Sequence, residues 1–189
     1  MQRILKTLTT IGLVALVSTA LSTRAEAGFI PVFVGSAPDG AGMTNYNYTL
    51  NFTTNGTTSE TLTAGDFITM YDIGPATVVA PGLSVTQTLL GTTAPLTTPT
   101  DNASILNVTF TYNGATLASD TTFVGIVITS PFALRTGQYT SMDTIGVGKN
   151  HQIGQVLLPS PIPEPASVAL LGLGGLVGLV GLRRRKSSV

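Results

Sequence analysis

Asn45-Tyr46-Asn47-Tyr48-Thr49-Leu50-Asn51-Phe52-Thr53 is the stretch that decides the fold. Tyr46, Tyr48, Leu50 and Phe52 alternate with Asn45, Asn47, Thr49 and Asn51. In an extended chain successive side chains point to opposite faces, so this segment reads as a strand with one apolar and one polar face. Asn55-Gly56 follows, a dipeptide whose residues both accept the positive φ of a tight hairpin turn. Thr57 to Thr63 is expected to return as the partner strand.

Outward from this point the chain repeats the same grammar. Upstream, Phe29 to Val34 reads as a first edge strand, with Pro31 near its start where a missing donor is tolerated. Gly35 to Gly42 reads as a loop. Downstream, Asp66 to Ile73 is a strongly apolar core strand, Ala76 to Ala80 a short β-branched one, and Leu83 to Leu89 a half-buried one. Gly91 to Ser104, with Pro95, Pro99 and repeated Thr, reads as a long loop. In Ile105 to Tyr112 the residues Leu106, Val108, Phe110 and Tyr112 are expected inward, and Asn107, Thr109 and Thr111 outward. Asn113-Gly114 then supplies a second hairpin signal. Thr121 to Thr129 is apolar on both faces and reads as central, with Gly125 marking a bulge or a close approach. Pro131 to Lys149 has no clear period, and Gln152 to Leu158 is the last strand.

Seven to nine short strands, no amphipathic helix and turn signals at short intervals give an all-β chain. The expected architecture is an antiparallel β-sandwich, immunoglobulin-like, with a jelly roll or barrel as the alternative. No repeat of fixed period points to a solenoid.

The formal net charge of zero over 189 residues hides an asymmetry. Bases crowd the two ends, whereas residues 28–160 carry Asp39, Glu60, Asp66, Asp72, Asp101, Asp120 and Asp143 against only Arg135 and Lys149. A mildly acidic body lacks the basic footprint that nucleic-acid phosphates require. There is no cysteine, so the body must rely on its core rather than on disulfides. About 130 residues suffice for one.

The sequence assigns no catalytic, cofactor-binding or metal-binding residue. His151 is the single histidine; a triad needs a nucleophile and a carboxylate arranged about an oriented imidazole, and one His with no Cys cannot supply a structural zinc. No Gly-x-Ser-x-Gly elbow accompanies the serines. Asp39-Gly40 and Asp101-Asn102 are weak calcium candidates that turn formation explains better. Glu60, Asp66, Asp72 and the loop aspartates are the only acids for a hydrolase, and nothing in the sequence pairs them. Tyr46 and Tyr48 suit sugar stacking, but their shared strand face suggests core. Thr53-Thr54 and Thr57-Thr58 invite an ice-binding reading, which their irregular spacing weakens. The sequons at Asn47, Asn51, Asn55, Asn102 and Asn107 follow from Thr/Asn-rich strand faces.

The two ends carry the addresses. Residues 1–27 read as a signal peptide: Arg3 and Lys6 precede an apolar Ile11 to Leu21, and Ala25-Glu26-Ala27 is a small-x-small cleavage pattern that leaves Gly28 first. Residues 28–158 form the secreted domain and 159–165 a Pro-rich hinge containing Pro163-Glu164-Pro165. Residues 166–182 are uncharged and at a helical rise span roughly 25 Å, the short end of a transmembrane helix. Residues 183–189 form a basic cytoplasmic tail in which Arg183, Arg184, Arg185 and Lys186 stop transfer.

Pro163, Glu164 and Pro165, the apolar Gly/Leu-rich span and the terminal Arg cluster together resemble the PEP-CTERM sorting signal, over about Ile162 to Lys186. That resemblance implies a bacterial envelope protein whose tail is a transient inner-membrane anchor. It implies cutting by an exosortase-type protease near Pro163-Glu164-Pro165 and delivery of the body to the cell surface or extracellular matrix. The expected partners are the membrane, signal peptidase, the exosortase and extracellular polysaccharide, with no nucleic acid and no cofactor. The expected role is structural or adhesive and non-enzymatic, with a carbohydrate-binding module as the alternative and an ice-binding protein or hydrolase behind it.

Overall fold

The computed structural model describes residues 28–54 and 60–161. Ten strands follow one another there: β1 (Gly28–Pro38), β2 (Thr44–Thr53), β3 (Glu60–Thr61), β4 (Phe67–Met70), β5 (Thr77–Val79), β6 (Leu83–Thr88), β7 (Asn107–Tyr112), β8 (Thr121–Ser130), β9 (Leu134–Ile145) and β10 (Gly148–Pro159). No helix occurs among the described residues, so none there crosses a membrane as a helix. The sequence expectation of an all-β chain is met, with one strand more than the upper count.

All pairings are antiparallel and fall into two sheets. The first has the order β1-β2-β8-β5; the second has β10-β9-β4-β7-β6, with β3 also pairing β9. The alternating stretch forms β2 as read, with Tyr46, Tyr48, Leu50 and Phe52 buried and the residues between them half-buried. Their apolar side chains join Phe29, Ile126 and Ile128 from the first sheet and Ile68, Met70, Val108, Phe110, Val156 and Leu158 from the second in one core cluster. Burial of such side chains, at about 25 cal/mol per Å² of apolar surface, is the main favourable contribution to folding. Phe29, Phe123 and Tyr112 extend it as a chain of tilted ring contacts, with centroids 5.7 and 5.8 Å apart.

Both Asn-Gly hairpins expected from the sequence are absent as strand pairings. β2 is flanked by β1 and β8, so β3 crosses to the other sheet and pairs β9 through Glu60–Ile145 and Thr61–Thr144. Asn55-Gly56 itself lies outside the described residues. β7 likewise has β4 and β6 on its two sides, so the chain after Asn113-Gly114 leaves for the first sheet. A turn dipeptide proposes a hairpin only while the preceding strand still has a free edge.

β1 runs past the expected loop start, to Pro38, with a register shift between Phe33 and Gly35. In β8 the expected bulge forms: the pairing skips between Tyr48 and Leu50 of β2, and Gly125 takes φ 74°, the left-handed geometry that a bulge assigns to glycine. β8 is central, between β2 and β5, yet Val124 on it remains exposed. The aperiodic Pro131 to Lys149 holds β9 and the start of β10, a long hairpin turned by Gly146-Val147.

Candidate functional site

The body ends at a defined exit. β10 pairs along its whole length with β9, down to Pro159 opposite Leu134. Beyond it, Ser160 N donates to Ala133 O at 3.1 Å, and Arg135 Nε donates to Ser160 O at 3.1 Å. Gly74, at φ 75°, leaves room for the next residue: a Cβ there would stand 2.8 Å from the Phe132 ring and 3.3 Å from Pro161 Cδ. The chain is therefore held by the body up to Pro161. Pro163, Glu164, Pro165, the span 166–182 and Arg183, Arg184, Arg185 and Lys186 lie outside the described residues, as do Ala25 and Ala27 of the cleavage pattern. Gly28 is described; it opens β1 and is buried.

The opposite end of β9 and β10 gathers the acids. Asp66 is fully buried and accepts from Thr63 N at 2.7 Å, Thr144 Oγ1 at 3.0 Å and Lys149 Nζ at 2.5 Å. Asp143, also fully buried, accepts from Asn150 Nδ2 at 3.3 Å through Oδ1, while its Oδ2 has no partner among the described residues. Burial first, then the neighbouring Glu60 charge, push the Asp143 carboxyl up to about 7. The sequence paired none of these acids. The β3–β9 register and the Gly146-Val147 turn bring Glu60, Asp66, Asp143 and Lys149 together. All three acids are buried rather than facing each other across an open cleft. Among the described residues no group of three His, Cys, Asp or Glu is placed to hold a metal ion.

A second polar network lies under the loop after β6. Thr69 Oγ1 donates to Thr92 O at 2.6 Å and meets Thr109 Oγ1 at 2.8 Å; Tyr71 Oη contacts Thr140 Oγ1 at 2.9 Å and donates to Thr93 Oγ1 at 3.0 Å. Burial raises the Tyr71 phenol above its ordinary value. Asn107 and Thr109, read as outward from the sequence, are buried because this loop covers their face. Asn107 Oδ1 accepts Asp72 N at 2.7 Å, and Nδ2 donates to Leu89 O at 3.2 Å and to Asp101 Oδ1 at 3.0 Å. The Asn107 sequon is thus a fastening inside the fold.

The remaining candidates resolve locally. Asp39 Oδ1 accepts Ala41 N and Met43 N at 2.8 and 2.9 Å, closing its own turn. Asp72 Oδ1 accepts Asn102 N at 2.9 Å, and burial raises its carboxyl above the ordinary range. Tyr46 and Tyr48 are core residues whose hydroxyls donate to Phe132 O and Leu157 O at 2.5 and 2.8 Å, so neither offers a ring face to a sugar. His151 sits opposite Met142, and its Nδ1 is buried without a hydrogen-bond partner among the described residues.

The family model for the PEP-CTERM protein-sorting motif matches residues 161–186. No curated protein matches the chain, and no solved structure matches it. The matched segment begins on Pro161, the residue packed at Gly74. A signal of this kind suggests an exported protein processed at the membrane by an exosortase.

Proposed function

We propose that the chain is a non-enzymatic envelope protein with a β-sandwich body, immunoglobulin-like or jelly-roll in kind, and a structural or adhesive role at the cell surface or in extracellular polysaccharide. The observation that carries the reading is the sorting motif matched at residues 161–186, directly after the last strand of the body in the chain. Residues 1–27 deliver the chain through the membrane and are removed before Gly28. Residues 166–182 then hold it as a transmembrane helix, with Arg183, Arg184, Arg185 and Lys186 on the cytoplasmic side. The protease acts near Pro163, Glu164 and Pro165 and releases the body.

The non-enzymatic part of the reading is supported by the burial of Glu60, Asp66 and Asp143 and by the placement of His151 outside any hydrogen-bonded triad among the described residues. A surface rich in Thr and Asn offers hydrogen bonds to a hydroxyl-rich polymer without ionic contacts. The test is fractionation of a strain carrying the chain with residues 163–186 deleted. The body is expected to leave the surface fraction for periplasm or medium. Unchanged surface retention of the deleted chain would falsify the sorting role, and failure of the released body to be retained on any matrix polysaccharide would remove the polysaccharide part alone.

A further inference from the structure

We infer that the outer edge of β10 is an interaction surface for a second copy of this chain, pairing antiparallel with the same edge of that copy about Ile153. The inference concerns the body alone and does not rest on the sorting reading.

The backbone parity of β10 identifies the groups that face outward. Ser160 N donates to Ala133 O, so Ser160 belongs to the set whose N–H and C=O turn toward β9. Such groups alternate in direction along an antiparallel strand. The register runs unbroken from Gly148 opposite Ile145 to Pro159 opposite Leu134. The even-numbered residues of β10 therefore face β9, whereas His151, Ile153, Gln155 and Leu157 face away. Tyr48 Oη donates to Leu157 O at 2.8 Å, on the side that this parity requires. His151, Ile153 and Gln155 remain, and among the described residues β10 has no strand beside it there. Ile153 and Gln155 are exposed.

Sheet edges are guarded against pairing with other chains by shortness, proline, charge or a bulge. The other edges of this body carry such guards. β1 contains Pro31 and Pro38 and shifts register between Phe33 and Gly35. β5 has three residues and β6 six. Leu83 N on Ala80 O and Gln87 Nε2 on Ala76 O tie those two strands together. β10 has twelve residues. From Asn150 to Leu158 it holds no proline and no charge, and its register has no shift.

The occupant is a second copy because this edge complements itself. One register joins all three outward residues to one another. It sets Ile153 opposite the partner's Ile153, and His151 opposite the partner's Gln155 on either side. Each such pair exchanges two hydrogen bonds, about six in all. The Ile153 side chain, 46 % exposed in the single chain, then packs on its own symmetry mate. No like charges meet, since Lys149 lies outside this stretch and is bonded to Asp66. A two-fold axis through Ile153 closes the pair and leaves no β10 edge open.

The chain has no cysteine, so one introduced thiol reports only contact between copies. In the exported chain, purified in detergent, copper phenanthroline should convert Ile153→Cys to a disulfide-linked dimer, because paired Cα atoms about 5.5 Å apart lie within disulfide reach. Val147→Cys, on the exposed turn about 20 Å from the axis, should stay uncross-linked. Gln155→Pro removes an outward N–H, where an edge strand tolerates proline. Its circular dichroism should be unchanged while its mass by sedimentation falls from dimer to monomer. Ile153→Lys, which sets two ammoniums face to face, should do the same. A monomeric mass for the native chain at submillimolar concentration overturns the inference. A dimer that survives Gln155→Pro and Ile153→Lys, or that Ile153→Cys does not capture, places the contact elsewhere and overturns it too. So does capture of a different protein by Ile153→Cys in isolated membranes in place of a second copy.

Discussion

Replacing Asn107 by Ala should be among the most damaging polar substitutions in the body. The side chain is fully buried and makes three hydrogen bonds, to Asp72 N, Leu89 O and Asp101 Oδ1. Removing it leaves the half-buried Asp72 N–H, the Leu89 carbonyl and the Asp101 carboxylate short of a partner. A neutral hydrogen bond contributes about 1 kcal/mol and one to a charged group about 1.5–3 kcal/mol, so the loss should reach about 3–5 kcal/mol. Asp72 adds to this, since it holds φ 59° without being glycine and the Asn107 carbonyl fastens its amide. For a domain of this size each kcal/mol moves the melting midpoint by about 3–5 °C, giving a drop of roughly 10–20 °C. The assay is urea and thermal unfolding of the exported chain by circular dichroism, with Asn113→Ala as the control. Asn113 also makes a side-chain hydrogen bond, to Ser84 Oγ, but on the exposed surface, where about 0.5 kcal/mol or less is expected. Asn107→Asp keeps the shape, loses the donor and sets a carboxylate beside Asp101, so it should be worse than Ala at pH 7 and recover in part on acidification. If Asn107→Ala and Asn113→Ala unfold within about 1 kcal/mol of each other, the loop is not fastened through Asn107 and the reasoning fails.

Other outcomes follow from the same contacts. Lys149→Met strips the cation from the fully buried Asp66, and because Lys149 is itself partly exposed the loss should be about 1–3 kcal/mol, below the 3–5 of a fully buried pair; adding Asp66→Asn should recover much of it in denaturant titrations. Asp143 has a folded value of about 7 against 3.8 unfolded. Its contribution is then fully present below about 4 and is lost as pH rises through 7; Asp143→Asn should flatten that part of the stability–pH profile, and an unchanged slope would count against it. Gly154→Ala places a Cβ 2.6 Å from the Tyr139 ring and should cost about 1–3 kcal/mol through overpacking. Gly35→Ala meets nothing within 4 Å and should stay within about 0.5 kcal/mol, so equal melting points would contradict the packing described.

The parts of the fold legible in the sequence are those where one face is apolar and the other meets water or a polar neighbour. β2 is the clearest, because Tyr46 to Phe52 point into the core while Asn47 to Asn51 do not. β9 was invisible for the opposite reason. Tyr139 enters the core, Ser141 and Asp143 share its face, and Thr140 on the other face binds Tyr71 under the loop. Polar residues buried by hydrogen bonding on both faces leave no hydropathy period. The same cause hid Asn107 and Thr109, whose outward face is roofed by a loop that pattern reading can only mark as irregular. The acids at the far end escaped because Glu60 and Asp143 meet through β3 pairing β9, a contact between distant segments that no local spacing encodes. The sorting motif was legible because it is read linearly, by its order of Pro-Glu-Pro, apolar span and basic cluster.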